Sequence, residues 1–128
     1  MADQIKLDWK SIRKNAGPYP QEAFQFVRDG LAHAVKMIFG DQPANTSPDR
    51  HVNGQQLCLG LRDYAIVRYG LLARTVLARW GIHTTEDFGR IVFAMIEAGL
   101  LRRSEEDSLE DFRAVFEFDE AFALTETV

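Results

Sequence analysis

A chain of 128 residues, 46% hydrophobic and 27% charged, has the length and balance of one globular domain with its own core. Its longest apolar run, Ile91–Ile96, is far too short to span a bilayer, and the N-terminal stretch carries no signal-peptide apolar segment, so a cytoplasmic protein with no membrane association is expected. The single cysteine, Cys58, excludes an internal disulfide and any multi-cysteine metal site.

The net charge of −4 is unevenly spread. Residues 1–83 hold eleven Lys and Arg against seven Asp and Glu, whereas residues 84–128 hold four against twelve. Such asymmetry bears on surfaces and partners rather than on fold. The expectation is self-complementarity: the acidic end folds back over basic helices or pairs with them in a dimer.

Ile5, Trp9 and Ile12 recur at helical spacing, predicting a short first helix. Gly17 ends it, and Pro18-Tyr19-Pro20 makes a stiff turn with Pro20 at a helix start. Phe24, Val27, Leu31, Ala34, Val35 and Ile38 then trace the apolar stripe of an amphipathic helix reaching Gly40. Residues 41–52, with two prolines and no periodicity, form a loop.

Residues 53–101 predict a core of three helices. Asn53 caps the first with Gln56 completing a capping box, and Leu57, Leu61, Tyr64 and Ala65 face inward. Gly70 breaks it, and Leu72, Ala73, Val76, Leu77 and Trp80 continue a second helix to Gly81. Ile82-His83 make a helix-turn-helix-like corner, after which Thr84 and Asp87 cap a third helix. That helix is apolar nearly all round, the mark of a buried central element. Beyond it, a helical turn near Ser108–Phe112 is followed by alternating Ala114, Phe116 and Phe118, which suits a strand pairing with Leu100–Arg103. The expected whole is a single, mainly α domain (α+β) with a small C-terminal β-hairpin and acidic tail over residues 100–122, winged-helix-like in outline.

The outline suggests a nucleic-acid binder, but its chemistry does not. A recognition helix needs Arg, Lys, Asn or Gln at base edges and cations around them. Here it offers Arg90 against Glu86, Asp87 and Glu97, and the wing is acidic. Any basic face would come from Arg62, Arg68, Arg74 and Arg79. His33, His51 and His83 fall in separate segments with no metal-ligand spacing. Cys58 lies beside a buried stripe, where cysteine acts as a small hydrophobe, although Arg62 is one turn away. The glycines match no phosphate-binding loop, and the carboxylates at 105–111 read as a solvated turn. The phenylalanines Phe112, Phe116, Phe118 and Phe122 suit a core; any left exposed would mark a protein interface.

The words HVNGQQLCLGLRDYAIVRYGLLARTVLARWGI and TEDFGRIVFAMIEAGLLRRSEEDSLEDF, with the upstream YPQEAFQFVRDGL, resemble a conserved uncharacterised protein family of planctomycetes and verrucomicrobia. The resemblance runs from about Tyr19 to Phe122 and implies a small bacterial cytoplasmic protein; it brings no activity, cofactor or catalytic residue.

The leading expectation is therefore a non-catalytic protein-interaction or regulatory module, self-association being one form of it, with a surface drawn from Arg62, Arg68, Arg74, Arg79, Phe118 and Phe122. No cofactor or metal is expected, and the partner is another protein or a second copy. The alternative is a winged-helix-like nucleic-acid binder using the same arginines. A second alternative is a small enzyme with a site assembled in space from histidines, acids or Cys58.

Overall fold

The computed structural model describes residue 17 and residues 19–40, 52–101 and 108–123. The predicted first helix (Ile5, Trp9, Ile12), the loop after Gly40 up to His51, and Arg102 and Arg103 of the predicted strand lie outside the described residues. The protein is mainly helical. Helix α1 spans Gln21–Phe39, α2 Gly54–Tyr69, α3 Ala73–Arg79, α4 Thr85–Glu97 and the one-turn α5 Phe118–Ala121; 3₁₀ turns occupy Gly70–Leu72 and Leu109–Phe112.

The local signals that start these helices work as expected. The Asn53 side chain accepts from the Gln56 N–H at 2.7 Å, and the Gln56 side chain accepts from the Asn53 N–H at 3.0 Å. Thr84 and Asp87 form the same reciprocal pair at α4, and Ser108 and Asp111 at the 3₁₀ turn. Helix α4 ends in a Schellman arrangement, with Gly99 at φ 79° and the Leu100 N–H donating to the Met95 carbonyl at 2.9 Å.

Helices α1 and α2 pack closely and antiparallel, because small residues let their backbones approach. Gly60 faces Ala34, and a Cβ there would sit 2.9 Å from the Ala34 Cα. Phe24, Val27, Leu61, Leu77, Phe88, Ile91 and Met95 fill the core, with α4 lying across α1 and α2. As its sequence predicted, α4 is the buried element: Phe88, Ile91, Val92, Ala94 and Met95 are inside and only Arg90 and Glu97 are exposed.

The C-terminal hairpin and the winged-helix outline are not supported. Among the described residues there is no strand. Residues 113–115 are turn, and Phe118 and Phe122, four residues apart, share the inward face of a helical turn. The alternation of apolar residues is satisfied differently: Phe118 meets Phe88 of α4, with 5.7 Å between ring centroids, and Phe116 stacks on Phe118. Phe112 is seated between Gly54 and Gly89, where added Cβ atoms would lie 2.9 Å from its Cε1 and 2.8 Å from its Cγ. Leu100, assigned to the other strand, spends its N–H closing α4.

Candidate functional site

Two places combine unusual residues with unusual exposure. The first is the N-terminal end of α4. Asp87 is buried, and its Oδ2 accepts from the backbone N–H of His83 at 2.8 Å and of Thr84 at 3.1 Å. Its Oδ1 accepts from the Tyr19 hydroxyl and, at 2.7 Å, from Arg90 Nη1. Burial alone would push this carboxyl up. The Tyr19 and backbone donors and the Arg90 charge outweigh it and hold Asp87 below its ordinary value. Burial, and then the bond to Asp87, push the Tyr19 hydroxyl up to about 12. Two residues before Asp87, the buried Thr85 hydroxyl donates to the Phe112 carbonyl at 2.6 Å and accepts from the Val115 N–H at 3.1 Å. It thereby closes the turn that carries Ala114 at φ 48°. This hub joins the Tyr19 segment, α4 and the C-terminal turn. It holds polar groups paired with each other, so it offers a substrate little besides the exposed side of Arg90. Its chemistry is that of a fastener.

The second place is the outward side of α1 and α2. Met37, Ile38 and Leu59 are 53%, 39% and 46% exposed, around a recess of about 160 Å³ lined also by Ala34, Gln56 and Gly60. Further along, Val67, Leu71 and Leu72 are between 61% and 68% exposed. Leu59, Asp63 and Val67 follow one another at i, i+4, i+8, a single ridge of α2. Between the two apolar groups, Asp63 Oδ2 and His33 Nε2 lie 2.7 Å apart and tie α2 to α1. Ile38, read from sequence as part of the inner stripe, is thus on the outside, while Phe26, absent from that stripe, is buried against Tyr64, Tyr69, Trp80 and Phe88.

The six residues singled out from sequence do not come together. Phe118 and Phe122 lie in the core. Arg74 is folded over Phe118, 5.8 Å from its ring centroid, and pairs with Asp119 at 2.9 Å. The acidic tail therefore does reach back to a basic helix. Arg68 lies over Tyr69 at 5.7 Å, and Arg79 is exposed at the end of α3. Arg62 and Arg68 project about 120° apart around α2 by helical geometry. The four arginines form no single basic stripe.

His51 and the carboxylates at 105–107 lie outside the described residues. Cys58 is fully buried, and burial, with the nearby Glu86 charge, pushes its thiol up to about 12, out of reach of thiolate chemistry at neutral pH. Among the described residues no group of three His, Cys, Asp or Glu could hold a metal ion, and no helix is long and apolar enough to cross a membrane. The outer ridge gave no sequence signal of its own, because Leu59, Val67 and Leu71 read as ordinary apolar positions until α1 is placed. The hub was half visible: Asp87 was legible as a cap, but Tyr19, 68 residues away, was not.

Searches against protein-family models, curated proteins and solved structures found no match to this chain.

Proposed function

We propose that this protein is a non-catalytic interaction module that binds another polypeptide through the outer face of α1 and α2. One observation carries the reading. Four of the seven large apolar side chains exposed among the described residues, Met37, Ile38, Leu59 and Val67, lie on α1 and α2, and three of them rim an apolar recess. A well-packed monomer leaves such side chains singly scattered, and a group of them gathered around a recess is the form of a contact surface. The polar hub is consistent with the same reading, since it fixes the helix scaffold with polar groups that are paired with one another. The resemblance to the planctomycete and verrucomicrobial family adds no activity that would compete with it.

Affinity purification from the native cell tests this with two baits, the wild type and Leu59→Glu. Because Leu59 is already half exposed, the variant should keep the wild-type circular dichroism spectrum and melting point. The protein that travels with the wild type should be lost from the variant. Equal recovery by both baits contradicts the reading.

A further inference from the structure

The three most exposed large apolar side chains among the described residues fall within one short stretch. Val67 is 68% exposed, and Leu71 and Leu72 are each 61% exposed, where α2 gives way to the 3₁₀ turn and α3. The turn at Gly70–Leu72 runs directly into α3, the Ala73 N–H donating to the Gly70 carbonyl. Helical spacing then sets Leu71, Thr75 and Arg79 one above the other at i, i+4 and i+8, with Leu72 and Ala78 beside them. All of these are exposed, whereas Ala73 and Leu77, on the other side of α3, are fully buried. The face they share is therefore outward, and its charge has one sign only. Residues 64–85 hold Arg68, Arg74 and Arg79 and no Asp or Glu. Arg68 and Arg79 are exposed and, among the described residues, neither pairs with an acid.

Arg74, the third cation, shows what such a surface takes. It lies where the C-terminal segment packs on α3, 2.9 Å from Asp119 and 5.8 Å from the Phe118 ring centroid. An acid and an apolar ring, adjacent in sequence, dock together there on one arginine. The outward face repeats these ingredients without an occupant, since uncovered leucines stand between two unpaired arginines. We propose that this face of the Gly70–Leu72 turn and α3 docks an acidic, apolar segment of another polypeptide. The segment sets its apolar side chains on Leu71 and Leu72 and its carboxylates on Arg68 and Arg79. Apolar burial supplies the affinity, and the two cations select and orient an acidic partner. At a rise of about 1.5 Å per residue the strip from Leu71 to Arg79 is about 12 Å long, so a short linear segment covers it. A phosphate backbone fits less well, because it gains nothing from two leucines and is held by many cations rather than two. This face lies at the opposite end of α2 from the recess rimmed by Met37, Ile38 and Leu59, and neither contact requires the other.

Selection of a random linear peptide library on the full chain tests this. The enriched peptides should carry Asp or Glu beside Leu, Ile or Phe, and basic peptides should be depleted. Fluorescence anisotropy of an enriched peptide should show binding about tenfold weaker to each of Arg68→Glu, Arg79→Glu, Leu71→Ser and Leu72→Ser than to the wild type. Added salt should weaken binding to the wild type more than binding to Arg68→Glu. These positions are exposed, so each variant should keep the wild-type melting point. Leu59→Glu, on the other surface, should bind the peptide as the wild type does. An oligothymidylate and anionic phospholipid vesicles are the competing probes. An oligothymidylate that binds where no peptide is enriched, and ignores both leucine variants, overturns the proposal in favour of a nucleic-acid surface. Vesicles that bind in place of any peptide, with loss in all the variants, assign the face to a membrane and overturn it too. A library that yields no acidic, apolar sequence, or only peptides indifferent to these substitutions, overturns it outright. If the enriched peptides respond to Leu59→Glu alone, the recess between α1 and α2 is the binding surface and this face is not.

Discussion

At the N-terminal end of α4, polar side chains are inside and satisfied; along the outer face of α1 and α2, apolar side chains are outside and uncovered. Each region inverts the usual arrangement, and the two inversions have different physical meanings. Buried Asp87 accepts five donors, from Tyr19, Arg90, the Thr84 hydroxyl and two backbone N–H groups, so its desolvation is offset within the chain. Nothing within the described residues covers Leu59, Val67 or Leu71. The first region is complete within the chain and stabilises it, whereas the second leaves apolar side chains open to solvent.

The comparison can be broken at its strongest point with Phe112→Ala, which empties the seat between Gly54 and Gly89. It should cost about 3–5 kcal/mol in urea unfolding, the range for deleting a buried aromatic ring. Asp87→Ala should follow at about 2–3 kcal/mol, because the Tyr19 hydroxyl and two backbone N–H groups lose their acceptor. It should also change the acid limb. Since folding lowers the Asp87 pKa, its contribution is fully present above the ordinary value of 3.8 and is lost as pH falls through the folded value. Stability of the wild type should therefore decline more steeply below pH 4 than that of the variant.

Tyr19→Phe should cost about 1 kcal/mol. The hydroxyl is raised from 10.0 to about 12, so the folded protein keeps its proton where the unfolded chain has lost it. The corresponding stability is intact below pH 10 and declines as pH rises toward 12; Tyr19→Phe should flatten that limb. If Asp87→Ala and Tyr19→Phe leave both limbs unchanged, the hub is not the fastener described. Leu59→Glu should have the smallest effect on monomer stability, within about 0.5 kcal/mol, as for an exposed position.

What the sequence disclosed follows the same division. The Asn53–Gln56 and Thr84–Asp87 boxes, and the all-round apolar character of α4, are local patterns, and local patterns sufficed to place α1, α2 and α4. The hairpin failed because alternation at Ala114, Phe116 and Phe118 fits a strand in isolation. The choice against it is made by Gly54, Gly89 and Thr85, which seat Phe112 and close the following turn from distant helices. For the outer face, Ile38 and Leu59 carry no mark that separates them from core positions. Only the close approach of Gly60 to Ala34, which fixes the rotation of α1 against α2, turns them outward. The arginines were legible as charges but not as a set, since Arg74 is committed to Asp119 and Phe118 within the chain.

The central claim, that the outer face of α1 and α2 is a contact surface for another polypeptide, is tested most directly by affinity purification from the native cell with wild-type and Leu59→Glu baits. The account predicts a protein that travels with the wild type and is lost from the variant, while both baits keep the same melting point. Equal recovery by both baits would contradict it.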